Sequence, residues 1–318
     1  MLRYVLGRVG QAALVLWAAY TVTFVILYLL PSDPVALQLS ANNIEIDSLT
    51  EAQREQAAAR LGLDRPVWEQ YLGLLTAALR GDFGTSYAKG LPVTDLIAQR
   101  LPGTVTLSIL AVTIALIAGT ALAVIATRLP HGPLATFLRR LPAAGVSVPN
   151  FWIGLLLIQI FAFTLGWFPA MGDDGPQSYV LPAVTMAIPT AGVLAQVLIR
   201  SFDDTLGEAY IATARAKGLS RGAVQLRHAF RNAALPTLTI LGLLVGATVT
   251  GSIVVETVFS RNGLGRLAQE SVLAQDIPVV QAIVVIAAAA FVVVNLVVDL
   301  LYPLLDPRIA RTPKVSRA

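Results

Sequence analysis

Residues 208–236 read EAYIATARAKGLSRGAVQLRHAFRNAALP, a polar and basic stretch between two long apolar runs. Of the 318 residues, 56% are hydrophobic and 13% are charged, whereas about 25% of the residues of a soluble domain are charged. The composition therefore predicts an integral membrane protein. The quoted stretch is predicted to remain outside the lipid, so it must have a function other than crossing the bilayer.

Six stretches are apolar for about 20 residues, the length that a helix needs to cross a bilayer. They are residues 9–30, 104–127, 143–168, 180–200, 235–258 and 279–302. Hydrocarbon cannot hydrogen-bond a bare backbone, so such stretches form helices. The first run is longer than the apolar part of a signal peptide and lacks its cleavage site. We therefore predict an all-α polytopic protein with six transmembrane helices, forming a single transmembrane domain over residues 1–318.

The charges predict the orientation of these helices. With both termini in the cytoplasm, the cytoplasmic segments carry 15 basic and four acidic residues, and the outside segments carry eight basic and 14 acidic residues. This asymmetry follows the positive-inside rule, so the net charge of +4 is explained without nucleic acid. It predicts a large extracytoplasmic loop at 31–101 and a cytoplasmic loop at 201–234.

Several kinds of chemistry are disfavoured by the sequence. Cysteine is absent, which excludes disulfides and iron–sulfur clusters, and His131 and His228 lie far apart for a metal site. No G-x-x-x-x-G-K-[ST] phosphate loop is present, nor is a Ser/His/Asp set that could form an intramembrane protease. We expect no catalytic site, cofactor or metal in this chain.

Polar residues within the predicted spans are few. Asp299 is expected near the cytoplasmic boundary of the last span and Glu256 near the outer end of the fifth. No span combines two acidic residues, or an acid with a histidine, near mid-depth, which argues against an ion-coupled secondary transporter. Three polar residues are candidates for lining a translocation path: Asn150, Gln159 and Gln196.

Small residues and prolines mark places where the predicted helices pack or bend. Ala111, Ala115, Gly119 and Ala123 recur every fourth position and predict a packing seam, as do the pairs Gly242/Gly246 and Ala247/Gly251 in the fifth span. Prolines interrupt the third and fourth spans in SVPNF (147–151), at Pro182 and at Pro189. Each removes a backbone donor. Either a packing kink or irregular backbone along a substrate path would explain them.

The stretch at 208–236 predicts a helix, a tight turn and a second helix. One face of the first helix is small, formed by Ala209, Ala212, Thr213 and Ala216. Arg215 and Lys217 lie near its C-terminus, where cations are favoured. Gly218 is expected in the left-handed conformation, Ser220 is expected to cap the second helix, and Pro236 is expected to open the fifth span.

Three functions could explain this stretch. Its basic residues could serve only the positive-inside rule, but that rule requires neither the small face nor the glycine. A helix-turn-helix could bind DNA, but a tether at both ends leaves it little freedom to enter a major groove. The third possibility, which we favour, is a site at which another protein docks.

At this point the residues resemble a known family. Glu208-Ala209, ARAKG (214–218), His228 and RNAALP (231–236) resemble the cytoplasmic loop of binding-protein-dependent ABC importer permeases, and more narrowly the first-subunit type of the dipeptide, oligopeptide and nickel permeases. The resemblance extends over almost the whole chain. It includes VTFVILYLLPSDP (22–34), LGLDRPVWEQY (61–71), GDFGTSY (81–87), RLPGTVTLSILA (100–111), SVPNFW (147–152), ETVFSRNGLGRL (256–267) and DLLYPLLDPRI (299–309).

The resemblance implies a type I ABC importer permease-like bundle in a bacterial cytoplasmic membrane. It also implies a homologous partner permease, expected to be a different chain, two cytoplasmic ATPases that bind ATP and Mg²⁺, and an extracytoplasmic solute-binding protein. A coupling helix within residues 205–231 would dock on an ATPase, and the loop at 31–101 is a candidate docking surface for the binding protein. The expected ATPase-coupling residues are Glu208, Ala209, Ala212, Arg215, Ala216, Lys217 and Gly218.

One residue departs from the family pattern E-A-A-x-x-x-G. Counting back from Gly218, Ala212-Thr213-Ala214 stand where the pattern begins, so Glu208 lies one turn too early. The ionic contact to the ATPase could therefore come from Glu208, or from Arg215 or Lys217. Permeases of this family serve short peptides, nickel chelates, glutathione or other small solutes, and we expect short peptides.

Overall fold

The computed structural model describes residues 2–29, 56, 59, 64–130 and 132–305. The described residues form α-helices, with two π-helical segments at Ile158–Thr164 and Val224–Ala229 and a 3-10 turn at Pro176–Tyr179. The α-helices are α1 (Leu2–Leu29), α2 (Val67–Ala78), α3 (Val93–Arg128), α4 (Pro133–Ser147), α5 (Asn150–Leu157), α6 (Val180–Leu206), α7 (Ala209–Ala216), α8 (Arg221–Ala223), α9 (Phe230–Val258), α10 (Leu264–Leu273) and α11 (Ile277–Leu305). Apart from one isolated bridge between Thr85 and Pro92, the described residues contain no β-structure, which confirms the all-α prediction.

Five helical runs are long and apolar enough to cross a membrane among the described residues, and a bent pair makes six if it counts as one span. The prediction of six spans is confirmed in that form. The five runs are Gly7–Leu27, Val93–Arg128, Pro176–Leu206, Arg221–Val258 and Ile277–Val297. Most extend beyond the predicted bounds because polar residues at the helix ends continue the helix.

The third predicted span, 143–168, is wrong as a single helix. Pro133–Ser147 and Asn150–Thr164 are bent by 103° at the break between them. Val148, which precedes Pro149, is extended with φ −95° and ψ 130°, as the clash with the proline ring demands. By contrast, Pro182 and Pro189 lie inside α6, which stays one helix. Only the first of the three predicted interruptions therefore breaks a helix.

The fifth predicted span begins earlier than expected. Pro236 does not open it, because Arg221–Val258 forms one helical run and Pro236 lies inside α9. A proline within a membrane helix is tolerated when neighbouring groups satisfy the freed carbonyl. The loop that was predicted to be cytoplasmic therefore passes into this span without leaving helical structure.

Some predictions fall on parts of the chain that are not described. Residues 30–55, 57–58 and 60–63 of the predicted outside loop lie outside the described residues, as do His131, the side chain of Asp299 and the tail 306–318. The described part of the loop contains α2 and the first turns of α3. The cytoplasmic location of both termini and the single domain over 1–318 stay predictions.

The chain packs as two compact units, of which the first comprises Met1–Val105 and Asn262–Val292. Its core joins the start of α3 to α10 and α11 through Val93, Leu96, Leu267 and Val279. Asp276, 1% exposed, accepts hydrogen bonds from the Ser86 hydroxyl and from two backbone N–H groups, those of Tyr87 at 3.0 Å and Ala88 at 3.3 Å. Burial, and then the Asp276 carboxylate, raises the pKa of Tyr87.

The second unit comprises Thr106–Arg261 and Val293–Ala318, and α6 supplies many of its buried residues. The predicted seam on α3 is confirmed, since Ala111, Ala115 and Ala123 are buried. A Cβ on Gly119 would lie 2.9 Å from the Ala191 carbonyl oxygen on α6. On α9, Gly242 is buried against Asn295 of α11, but Ala247 is exposed. The second predicted ladder is therefore a packing face only in part.

A buried arginine holds the end of α9 against the loop before α6. Arg261 is 2% exposed, and its Nη1 donates to the Gly172 and Ser178 carbonyl oxygens at 3.2 and 2.8 Å. Its Nη2 lies 3.0 Å from Asp173 Oδ1, and its guanidinium stacks 3.9 Å over the Tyr179 ring. Glu256, one turn earlier, is also buried, near the end of α9 as predicted.

Close packing between α4 and α6 yields a test of the fold. A Cβ at Gly192 would lie 2.8 Å from the Pro142 carbonyl oxygen, whereas one at Gly145 would meet Ile188 at 3.4 Å. We expect Gly192→Ala to destabilise the protein by about 1–3 kcal/mol, because backbone must move to admit the methyl group. Gly145→Ala, on the same helix pair, is expected to lower the melting temperature in detergent less. Equal melting temperatures for the two variants would contradict this packing.

Candidate coupling surface

The helix α7 is set off from its neighbours by backbone turns at both ends. Glu208, its first flanking residue, is extended with φ −68° and ψ 147°. Gly218 has φ +81°, and its N–H donates to the Arg215 carbonyl oxygen at 2.9 Å. The Ser220 hydroxyl then accepts from the Ala223 N–H at 3.3 Å. The predicted left-handed glycine and the predicted serine cap are both confirmed.

The residues predicted to contact another protein all face outward. Every one of the seven is exposed, as is Thr213. They are Glu208, Ala209, Ala212, Arg215, Ala216, Lys217 and Gly218. The small face of α7 is therefore open to a docking partner, and the cationic side chains stand at its C-terminal end.

The opposite face of α7 is packed into the second unit. Ile211 is fully buried and Ala214 nearly so, in a cluster that includes Leu198, Phe202 and Val224. The sequence interpretation missed these two residues. Their spacing of three, which places them on one helix face, was the available signal. This packing fixes α7 to the ends of α3 and α6 and leaves only its small face free.

The π-helical segment after α8 gives the loop a second attachment. Gln225 is buried, and its Nε2 donates to the Val124 carbonyl oxygen at 3.0 Å and to Thr127 Oγ1 at 2.7 Å. Nearby, Gly222 packs under Arg128, whose Nη2 would lie 2.9 Å from a Cβ at that position. Both contacts bind the loop to the last turns of α3, and neither was predicted from the sequence.

A third attachment joins α7 directly to α9. The Tyr210 hydroxyl accepts a hydrogen bond from Asn232 Nδ2 at 2.9 Å and donates to the His228 carbonyl oxygen at 3.4 Å. The helix that carries the small face is therefore tied to the helical run Arg221–Val258. His228 acts here through its backbone.

The charges around α7 are mainly basic and exposed. Arg221 and Arg227 join Arg215 and Lys217 on the exposed surface. Glu208 makes no side-chain cap hydrogen bond, so its carboxylate is available at the start of the helix. At the base of the loop, Arg139 of α4 pairs with Asp203 of α6 through two contacts of 2.6 and 3.0 Å.

The three predicted path residues lie on separate elements. Asn150 begins α5 and is half-buried, with its Nδ2 3.6 Å from the Cβ position of Gly251 on α9. Gln159, in the π-helical segment after α5, and Gln196, on α6, are exposed. Their role in a path stays a prediction. Within the described residues, no group of three or more His, Asp or Glu side chains could hold a metal.

Comparison with known proteins matches two family descriptions to this chain. "Binding-protein-dependent transport system inner membrane component" matches residues 115–311, and the corresponding N-terminal family matches residues 1–108. Among curated proteins, the glutathione transport system permease protein GsiC of Escherichia coli (strain K12) is 39% identical over 310 residues. GsiC of Salmonella choleraesuis (strain SC-B67) is 42% identical over 313 residues. Each match covers 97% of this chain and 99% of the relative.

One solved structure also shares the fold. A chain of the MetNI methionine ABC transporter, crystallised in an inward-facing conformation, superposes with a TM-score of 0.53. The match is 14% identical and covers 66% of this chain and 96% of that chain. The family matches over both halves of the sequence, with the identity to GsiC, show the family. The chain belongs to the binding-protein-dependent transport system inner membrane components, as a multi-pass permease of an ABC importer.

Proposed function

We propose that this permease carries short peptides across the membrane, with tripeptides of the size of glutathione among its cargo. The identity with GsiC over nearly the whole chain supports this, because that relative is named for glutathione transport and glutathione is a tripeptide. The exposed polar residues Gln159 and Gln196, with the half-buried Asn150, are the proposed path-lining groups. Nickel chelates are the alternative cargo.

ATP hydrolysis by a cytoplasmic ATPase is the proposed source of energy, and the docking of α7 on that ATPase is the proposed route by which it reaches the permease. The observation that carries this proposal is that α7 has one open small face and one face packed into the protein. A partner that grips the open face therefore moves α7 together with the ends of α3, α6 and α9. Its contact residues would be Glu208, Ala209, Ala212, Arg215, Ala216, Lys217 and Gly218.

The ionic part of this contact has more than one possible source. Because Glu208 has no side-chain partner at the cap, it can reach a basic group on the ATPase. Arg215 and Lys217 can reach acidic groups from the other end of α7. We infer that all three take part, and that the one-turn displacement of Glu208 places its contact nearer α6.

The permease is proposed to work with a homologous second permease in a heterodimer, two ATPases that bind ATP and Mg²⁺, and an extracytoplasmic solute-binding protein. This chain supplies no catalytic residue in that assembly. Its candidates for contact with the binding protein include the exposed Lys89 and the half-buried Arg266, which pair with Glu270 at 3.1 and 3.0 Å.

The bend at Gly218 gives a direct test of docking. Gly218→Val places a β-branched residue in the left-handed region, which costs about 1–2 kcal/mol, and nothing within 4 Å of the Cβ position would clash. We expect less ATPase to co-purify with the permease and transport to fall, with membrane insertion unchanged. Gly166→Val is the matched control, since Gly166 has φ +65° and equally open surroundings on the predicted outer side. Equal ATPase yields for the two variants would exclude α7 as the docking site.

The buried face of α7 gives a second test. Ile211→Ala removes most of its anchoring side chain, and such changes cost about 2–5 kcal/mol in a well-packed core. We expect faster hydrogen exchange over residues 209–216 and weaker coupling of ATP hydrolysis to transport. Ile211→Val, which removes a single methylene, is expected to remain close to the wild type. Unchanged exchange in Ile211→Ala would show that α7 is held by other contacts.

Transport by the reconstituted importer tests the cargo. In proteoliposomes with ATP inside and the binding protein outside, we expect uptake of labelled glutathione that unlabelled di- and tripeptides inhibit. An ionophore should leave this uptake unchanged, because ATP hydrolysis drives it. Inhibition only by a nickel chelate would identify the alternative cargo, and collapse with the ionophore would indicate an ion-coupled carrier.

A further inference from the structure

The helix α2 has a largely exposed apolar surface, in which Leu75 is half-buried. None of its residues is buried, and Trp68 is 63% exposed, with Leu79, just beyond its last residue, 80% exposed. At 100° per residue, Trp68, Leu72, Leu75 and Leu79 fall within one narrow stripe. We call these four residues the α2 stripe. Large exposed apolar surfaces of this kind mark sites that bind another protein or a membrane.

A neighbouring face of α2 is attached to α1 through Tyr71. The Tyr71 ring packs edge-on against Phe24 at 5.3 Å and tilted against Tyr20 at 6.0 Å. Its hydroxyl lies 2.7 Å from the Thr21 hydroxyl, in a hydrogen bond between the two. The position of α2 is therefore set relative to α1, and the α2 stripe lies beside this contact.

This attachment places α2 at a definite depth. The helix α1 continues to Leu29, eight residues beyond Thr21, so the Tyr71 contact lies about 12 Å before the last residue of this apolar helix at 1.5 Å per residue. Amphipathic helices that lie in a membrane interface bury their apolar face about 5–10 Å into the headgroup boundary. A helix attached at this level meets lipid rather than bulk water.

The polar residues of α2 fit the same environment. At 100° per residue, Gln70 lies opposite the α2 stripe, and Glu69 and Thr76 lie beside it. Arg65 and Arg80 flank the helix with both residues exposed. Arginines at the ends of an interfacial helix can reach headgroup phosphates while the apolar residues enter the acyl region. Tryptophan is the side chain most typical of that boundary.

We propose that α2 is an interfacial helix that lies in the membrane surface, with the α2 stripe in contact with lipid acyl chains and Arg65 and Arg80 at the level of the phosphates. The charge distribution predicts that this is the outer leaflet. The helix holds the outer end of α1 through Tyr71 and fixes where the large outside loop leaves the membrane. A protein partner on the same stripe is the competing possibility, and the depth of the Tyr71 contact favours lipid.

The absence of cysteine in the chain allows a site-specific test. A nitroxide is attached to Leu72→Cys, on the α2 stripe, in the importer assembled with cysteine-free partner subunits. The complex is placed in nanodiscs of phosphatidylethanolamine and phosphatidylglycerol. The matched control is Gly73→Cys, one residue along and turned 100° away, where a Cβ meets nothing within 4 Å. Spin relaxation by oxygen, which dissolves in lipid, is compared with relaxation by a water-soluble nickel complex.

We expect the ratio of oxygen to nickel accessibility to be several-fold higher at position 72 than at position 73. Equal ratios at the two positions would place the α2 stripe in water and overturn the proposal. Protection of position 72 from both reagents would show that protein covers the stripe, which would also overturn it. If Leu72→Cys fails to assemble, Leu79→Cys reports on the same stripe from a position that is exposed and outside the helix.

Discussion

The burial of Ile211 and Ala214, on the inner face of α7, is the contact on which the rest of the loop at 201–234 depends. A short helix of eight residues is marginal in water by itself, so its position must come from packing. The cluster that receives these residues contains side chains from α3 and α6. The Gln225 and Tyr210 hydrogen bonds add two attachments at the edge of this cluster. The small outer face is consequently held in a fixed position by these contacts, as the proposed docking of an ATPase requires.

The bend at Pro149 shows how the same chain departs from straight spans. A backbone break is tolerated at membrane depth only where other protein groups surround it. The residues after the break pack on α6 and α9, with Gly154 against Thr185 and Phe259. A glycine there admits the aromatic ring at 3.2 Å from a Cβ position. The close packing at Gly154 therefore stabilises the break at Pro149, because it holds the short helix α5 against its neighbours.

The sequence predicted those features that depend on neighbouring residues in the chain, such as turns, helix caps and the small-residue face of a helix. The left-handed Gly218, the Ser220 cap and the seam of Ala111, Ala115 and Ala123 follow from propensity and periodicity, and each was found as expected. The inner residues of α7, the Gln225 contact and the Arg261 cluster depend on groups about 10 to 100 residues away in the chain. No single-sequence pattern specifies such partners. The continuity of the helix through Pro236 was missed for a related reason, because neighbouring helices decide whether a proline ends a helix.

The unbroken helical run Arg221–Val258 has a mechanical consequence. At 1.5 Å per residue its 38 residues are about 57 Å long, and no break in the helix separates the proposed docking loop from the far end of the span. If the proposed docking displaces Arg221, the displacement would reach the opposite end, where Arg261 donates hydrogen bonds to the Gly172 and Ser178 carbonyl oxygens. Under the proposed docking, the loop before α6 would move with this helical run, so a displacement on one side of the bilayer would change the surface on the other.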